Sequence, residues 1–454
     1  MAGRLTRLLK IMRKYPILLL LIFILAACGP GASSTVSTPS KTPKLGTSDG
    51  ATRESSATDT QLPPPDLTGE TLIIYHLGDS TSEFISPLIV AVQDMVASIN
   101  TTGGIFGAQL ELQFFDTGGL VENVIQGYQS FVESDEDIAL LIVYSYQDQE
   151  ALFTRVVEDR VPVLVAVANT TALYGLKDGF IFSLSPTFPD QFAYFMDYLS
   201  RNWAQIKPPA AGDEIKIAYL SWPDGFGQAA YTNEVLEYAN TLNIAIVLNQ
   251  TFEAAPVVDM TTPIISAQKA GANVIYTNTY AFGPGNMLND LNHLGLRENF
   301  VVASSFFGLD LATSAYLLKP DYAQGLYAPF PSAWWSDEAH PAIEFALQIN
   351  AEYGRVRQQQ TVGRLLHLGL VDLARYALEQ AVLDVGVNQL NGEAVYQALT
   401  RITGLELLHG LLTVDFTGGR RAPGQMRMRI IQGDRDTYIP LEEYTEIPDL
   451  RPDR

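Results

Sequence analysis

"INTTGGIFGAQLELQFFD", residues 99–116, carries the clearest structural statement in the chain. Ile99 ends an apolar series, Phe84, Leu88, Val92, Met95 and Ile99, spaced as one face of a helix. Gly103 and Gly104 then stop that helix, because a left-handed C-cap is free of side-chain clash only at glycine. Gly107 permits a tight turn, and Gln109–Asp116 alternates polar and apolar residues as a strand does.

The same grammar extends to both sides. "TLIIYHLG" (71–78) reads as a buried strand before the helix, and "LVENVIQGYQSFVES" (120–134) as the helix after the alternating strand. "IALLIVYS" (138–145), "VPVLVAVA" (161–168), "KIAYLS" (216–221), "IAIVLNQ" (244–250), "NVIYTNTY" (273–280) and "FVVASS" (300–305) continue the series, with helical patterns between them. Strands that are apolar on both faces and alternate with helices predict parallel sheets covered on each side. The strand–helix series runs twice, before and after about residue 190, without a repeat of residue identity. The expected fold class is α/β, with two Rossmann-like lobes.

The N-terminal region is of another kind. Arg4, Arg7, Lys10, Arg13 and Lys14 precede an apolar run from Pro16 to Ala27 that is too short to cross a bilayer, for which about 20 residues are needed. Basic residues, a short apolar stretch and small residues before a break describe an export signal over 1–27. Leu25-Ala26-Ala27-Cys28 resembles the bacterial lipobox, whose cysteine becomes the lipidated first residue of the mature chain. Cys28 is the one cysteine in 454 residues; a thioether-linked lipid removes the liability of a lone thiol in an oxidising compartment. The protein is therefore expected outside the cytoplasm, anchored to the cell membrane through Cys28. Residues 28–69 are expected to form a disordered tether; the Ser-, Thr-, Pro- and Gly-rich part from 29 to about 65, as a flexible coil, would span roughly 30–35 Å in root-mean-square. Loss of the five signal cations takes the net charge from −21 to −26, which argues against nucleic acid as a partner.

Several stretches together resemble the type I periplasmic solute-binding proteins of the branched-chain amino acid group. Ile99-Asn100, two residues, Gly103-Gly104-Ile105, one residue and Gly107 match the first helix–turn–strand of that family. "VPVLVAVANTTALY" (161–174), "FSLSPTFPDQ" (182–191), "KIAYLSWPDGFGQAAY" (216–231), "YAQGLYAPFP" (322–331) and "LHGLLTVDFTGG" (408–419) match later family segments in the right order. The resemblance covers about residues 70–435. It implies two lobes joined by a three-segment hinge, with lobe 1 at 70–188 plus 308–411 and lobe 2 at 189–307 plus 412–448.

It also implies a binding site between the lobes. The loop after the third strand, Tyr144 to Asp148, would offer Ser145, Tyr146 and Gln147; the next loop would offer Ala168, Asn169 and Thr170. Asn169 and Thr170 could equally cap the following helix. Phe84 and Phe226 fall where the family faces aromatic rings across the cleft, or they pack in the core; Tyr280 ends a second-lobe strand. Gly283 stands where amino-acid binders of the family carry a glutamate for the ligand's ammonium. Either Asp79, Asp148 or Asp224 substitutes, or the ligand has no such ammonium. Trp334 and Trp335 are expected at a lobe surface or the hinge.

Catalysis is not expected. His76, His293, His340, His367 and His409 are scattered without metal-ligand spacing, and no G-x-S-x-G elbow or P-loop occurs. "GFGQAA" (225–230) could open a dinucleotide site, but the next strand, "IAIVLNQ", ends in amides where a ribose-binding acid is required. No cofactor or metal is expected. The leading function is capture of a small polar metabolite (an amino acid, amide or related compound) for an ABC permease; the alternative is a ligand-sensing or envelope-regulatory lipoprotein. Neighbouring transporter genes would favour the first, and a cleft filled by its own side chains the second.

Overall fold

The computed structural model describes residues 63–134, 137–308, 315–432 and 437–452. The export signal, Cys28 and most of the expected tether lie outside the described residues.

The first sheet contains β1 (Thr71–Gly78), β2 (Gln109–Asp116), β3 (Leu141–Val143), β4 (Val163–Val165) and β5 (Ile181–Ser183), in the order β2-β1-β3-β4-β5 and parallel throughout. Side chains alternate faces along a strand, so β1 serves two cores. Leu72 and Ile74 pack with Val92, Met95 and Ile99 of the helix Ser86–Thr101. Tyr75 and Leu77 pack with Val124, Tyr128 and Phe131 of the helix Val121–Ser134. Gly103 (φ 109°), Gly104 (φ 68°) and Gly107 (φ 97°) all adopt the left-handed region, and Gly104 N–H donates to Ile99 O at 3.0 Å to end the helix. Asn100 adds a clamp: its Nδ2 donates to Leu110 O and its Oδ1 accepts from Leu110 N–H, both at 2.8 Å.

The second sheet repeats the order. It contains β6 (Ile215–Ser221), β7 (Ile244–Thr251), β8 (Val274–Thr277), β9 (Val301–Ser304) and β10 (Leu326–Phe330), arranged β7-β6-β8-β9-β10 and parallel. A short hairpin, β11 (Leu405–Leu407) with β12 (Leu412–Val414), lies apart from both sheets. β13 (Gln425–Ile431) then joins β10 antiparallel, followed by β14 (Tyr438–Pro440) and β15 (Thr445–Glu446).

These pairings correct the expected lobe boundaries. The return to lobe 1 was placed at 308, yet Leu326–Phe330 is a buried strand bonded to β9 and β13 in the second sheet. Its backbone groups need partners, and only that sheet supplies them. Chain re-entry into lobe 1 comes after Phe330, through Trp334 and Trp335. Trp334 packs against Phe330 and Tyr438, while Trp335 Nε1 donates to Thr361 O at 3.0 Å. The helices Pro341–Glu352, Val362–Val385 and Gly392–Thr400 belong to the first lobe, and the hairpin goes with them: Leu408 N–H donates to Asp372 Oδ2 at 2.7 Å and Phe416 N–H to Ile402 O at 2.9 Å. The last crossing therefore lies after Ala422 and not at 412: Ser183 N–H donates to Arg421 O at 2.7 Å, and Ala422 packs with Leu141, Val163 and Ile181 of the first sheet. The expected tether boundary at 69 is corrected as well: Leu67 is buried, and its N–H donates to Phe106 O at 2.8 Å, so it belongs to the folded part.

The first lobe is secured by an interior ion pair. Arg364 of the long helix Val362–Val385 meets Asp94 of the helix Ser86–Thr101 at 2.7 Å, Arg355 joins at 2.5 Å, and Asn350 Oδ1 accepts from Arg364 Nε at 2.6 Å. Burial lowers the affinity of the Arg364 guanidinium for its proton, and Asp94 opposes that. Among the described residues no helix is long and apolar enough to cross a membrane.

Candidate functional site

Side chains from the strand ends of both sheets meet between the lobes. From lobe 1 come Phe84 and Tyr146; from lobe 2 come Trp222, Phe226, Tyr280, Phe282 and Phe307. Phe84 lies 5.0 Å from Tyr280, centroid to centroid and edge-on. Tyr146 lies 5.8 Å from Phe226, which is itself 5.2 Å from Tyr280 and 4.9 Å from Phe188 at the hinge. Trp222 backs the group at 4.9 Å from Tyr280 and 5.2 Å from Phe282. Edge-to-face pairs of this kind favour contact beyond the area they bury, by about 0.5–1.5 kcal/mol each.

Local chemistry presents these rings. Phe226 sits in the short helix Gly225–Gln228, where Asp224 Oδ1 accepts from Gly227 N–H at 2.6 Å and Asn278 Nδ2 donates to Phe226 O at 2.6 Å. A Cβ at Gly227 would collide with the Trp222 backbone, so the glycine there serves close packing of the turn. The chain leaves Tyr280 through Ala281 at φ 48° and ψ −107°, a conformation costly for a residue with a Cβ. Burial raises the Tyr280 hydroxyl pKa, and the carboxylates of Asp224 and Glu83 raise it further.

The lobe-1 loops are organised differently. Ser145 Oγ accepts from Asp148 N–H at 3.1 Å, and Asp148 Oδ2 accepts from Ser145 N–H at 3.3 Å, a closed capping box. Burial pushes the Asp148 carboxyl up to about 6, against the hydrogen bonds from Ser145. Tyr146 donates its hydroxyl to Ala168 O at 3.2 Å, and Gln149 Nε2 donates to Val167 O at 2.9 Å, which staples the two loops together. Asn169 Oδ1 caps the next helix by accepting from Ala172 N–H at 2.6 Å, while Asn169 N–H donates to Gln149 Oε1 at 3.3 Å. Gln147 is exposed.

Of the expected site residues, Phe84, Tyr146, Phe226 and Tyr280 come together. Ala168 touches the group through its carbonyl; Ser145 and Asn169 act as helix caps. Thr170 lies to one side, in a cavity of about 260 Å3 that residues of both lobes line, among them Thr171, Thr187, Asp190, Thr232 and Arg451. Trp222, Phe188, Phe282 and Phe307 were not foreseen. Only the spacing Trp222, Asp224, Phe226 in one turn hinted at them, and aromatic residues at such spacing are ordinary core material.

Position 283 has no room for a side chain. A Cβ on Gly283 would lie 2.5 Å from Thr279 Oγ1 and 3.2 Å from Trp222 Cζ2. The expected carboxylate substitutes are also committed elsewhere, Asp148 to Ser145 and Asp224 to Gly227. Asp79 Oδ1 accepts from Thr81 N–H and Oγ1.

Beneath the lobe-1 strand ends lies a buried polar stack. His76 Nδ1 and the Tyr144 hydroxyl are 2.9 Å apart, and Tyr144 stacks on His367 at 5.3 Å. Burial holds both imidazoles down to about 4, so they are neutral at pH 7. His340 caps the helix Pro341–Glu352, and His409 packs on Phe345. Among the described residues no group of three or more His, Cys, Asp or Glu side chains is placed to hold a metal ion.

A family model described as periplasmic binding protein matches residues 74–437. Solved structures agree in fold. A branched-chain amino acid ABC transporter protein of Thermus thermophilus, with bound valine, superposes with a TM-score of 0.73 at 19% identity, covering 85% of this chain and 98% of its own. A solute-binding protein of Rhodopseudomonas palustris BisB5 in complex with 3,4-dihydroxy benzoic acid gives 0.66 at 16% identity, covering 84% and 98%. A fatty acid ABC transporter substrate-binding protein of Thermomonospora curvata gives 0.66 at 15% identity, covering 87% and 97%. No curated protein sequence matches the chain significantly. With the family model spanning most of the chain and the two-sheet fold shared with these structures, this protein belongs to the periplasmic binding protein family.

Proposed function

We propose that this chain is a lipid-anchored solute-binding protein that carries a small molecule between its lobes to an ABC importer. The observation that supports it most is the meeting of Phe84 and Tyr146 from one lobe with Phe226 and Tyr280 from the other, at the strand ends where sheets of this order bind ligands. Phe84, Tyr146, Phe226 and Tyr280 are the proposed solute contacts; Ser145, Gln147, Ala168, Asn169 and Thr170 shape the loops around them. Cys28 is the proposed lipid attachment, with residues 29 to about 65 as the tether. No chemical step is assigned, because the site presents rings and committed polar groups rather than a nucleophile beside a base.

Thermal unfolding in the presence of amino acids, amides, amines and organic acids tests this reading, since a solute that prefers the native state raises the melting temperature. A concentration-dependent rise with one chemical class is expected. A flat response across every class would overturn solute capture.

One observation favours a second reading, that of a sensor or envelope partner. The rings of the two lobes touch one another and occupy the centre of the gap. A flat response in that screen, together with capture of an envelope protein dependent on the closed lobes, would support it.

A further inference from the structure

The cleft separates solutes by charge type, and this inference rests on the solute-binding reading above. A zwitterionic amino acid needs a carboxylate for its ammonium and N–H donors for its carboxylate. The first is not provided. Position 283 is closed to any side chain by Thr279 and Trp222. In the lobe-1 loops, the N–H groups of Ser145, Asp148, Asn169 and Ala172 are bonded within the protein, which leaves the first-turn N–H groups of the two short helices as donors.

What remains is a set of ring faces in a negative field. Trp222, Phe226, Tyr280 and Phe282 stand on the lobe-2 side and Phe84 and Tyr146 on the other. Aromatic faces carry the negative side of the ring quadrupole and attract cations. The charges that act on the Tyr280 hydroxyl are both carboxylates, Asp224 from lobe 2 and Glu83 from lobe 1. The net charge of the whole chain, −21, draws cations toward the surface as well. Two buried polar atoms among the rings, Trp222 Nε1 and Asn278 Oδ1, have no hydrogen-bond partner in the protein.

We propose that the solute is a cation whose charge is sheathed in carbon, a quaternary or tertiary ammonium compound, held by the faces of Phe84, Trp222, Phe226 and Tyr280. Such a group has few or no N–H bonds to satisfy, so the missing glutamate costs it nothing. A polar tail on the solute would meet Trp222 Nε1 as donor and Asn278 Oδ1 as acceptor. With Phe84 and Tyr280 only 5.0 Å apart, the solute enters when the lobes part and takes the place of the ring–ring contacts.

Choline, added to the full chain, is the probe. Its titration should raise the melting temperature and give a binding isotherm. Its uncharged isostere, with carbon in place of nitrogen, should bind about tenfold or more weakly, because the cation–π term is then absent. Phe226→Leu and Tyr280→Leu should each weaken choline by a similar factor, whereas Tyr280→Phe keeps the ring and the affinity. Asp224→Asn, which preserves the helix cap, should weaken choline several-fold and reduce its salt dependence. Equal binding of choline and its isostere would overturn the proposal. So would absence of choline binding with binding of valine or 3,4-dihydroxybenzoate, and there the solute-binding reading would survive. No binding by any of these probes also overturns it and leaves the broader reading to its own screen.

Discussion

The two sheets have the same strand order, yet the lobes built on them are held and finished in opposite ways. Lobe 1 is wired by polar groups: Asp94 with Arg364 and Arg355, His76 with Tyr144 and His367, Ser145 with Asp148. Lobe 2 ends in rings: Tyr280 meets Trp222 and Phe226 edge to face, and Trp222 packs tilted on Phe226 and Phe282. If the proposed site holds, one topology sets where a solute sits, and separate side-chain choices set what the solute can be. In the proposed reading, the polar wiring of lobe 1 serves stability and the aromatic surface of lobe 2 serves recognition.

That division has measurable consequences. Asp94→Ala would leave Arg364, 1% exposed, without its counter-charge; a loss of about 3–5 kcal/mol is expected by urea denaturation. A loss below about 1 kcal/mol would show that lobe 1 does not depend on its ion pair.

The histidine stack sets an acid limit. His367 is held down to about 4 against an ordinary value of 6.5, so the unfolded chain takes up a proton that the native state refuses. Stability from this group is present above pH 6.5 and falls as the pH drops toward 4, by roughly 3 kcal/mol in full. Asp148 and Asp190, pushed up to about 6 by burial, act in the opposite sense: their native forms gain protons, and stability, as the pH falls through 6. His367→Phe, which keeps a ring on Tyr144, should lose less stability than the parent between pH 6.5 and 4. Parallel pH curves would remove His367 from that role.

On the lobe-2 side, Gly283→Glu would restore the family's acid but must displace Thr279 and Trp222, at about 1–3 kcal/mol of stability. If the variant folds without loss and gains amino-acid binding, the closed position is not what sets specificity. The smallest effects come from a paired comparison. Phe226→Ala should weaken solute binding at least about tenfold, near 1.4 kcal/mol. Ser145→Ala should cost about 1 kcal/mol of stability by loss of a helix cap while leaving affinity in place. A reversal of these two would exchange the roles of the lobes.

Much of this was legible in the sequence. Gly103, Gly104 and Gly107 announced the helix stop and turn because no other residue takes those backbone angles without strain. The alternation of short apolar strands with helices announced two parallel sheets. Boundaries were less visible: "LYAPF" is short and holds a proline, and only its pairing with β9 and β13 assigns it to the second lobe. The site was half legible. A cap and a solute contact ask for the same hydroxyl or amide, so the sequence leaves both roles open for Ser145 and Asn169; the Asp148 and Ala172 hydrogen bonds show the caps. Trp222, Phe188 and Phe307 escaped notice because ring spacing in a core and around a cleft is identical.

The mobility of the two lobes against each other is tested most directly by the distance across the gap. Spin labels at Thr81→Cys in lobe 1 and Pro223→Cys in lobe 2, in a Cys28→Ala chain, report that distance in solution; both positions are exposed. A broad distribution with an open population is expected, collapsing to a single short distance when the solute that raises the melting temperature is added. A single short distance that no solute changes would be incompatible with capture between moving lobes.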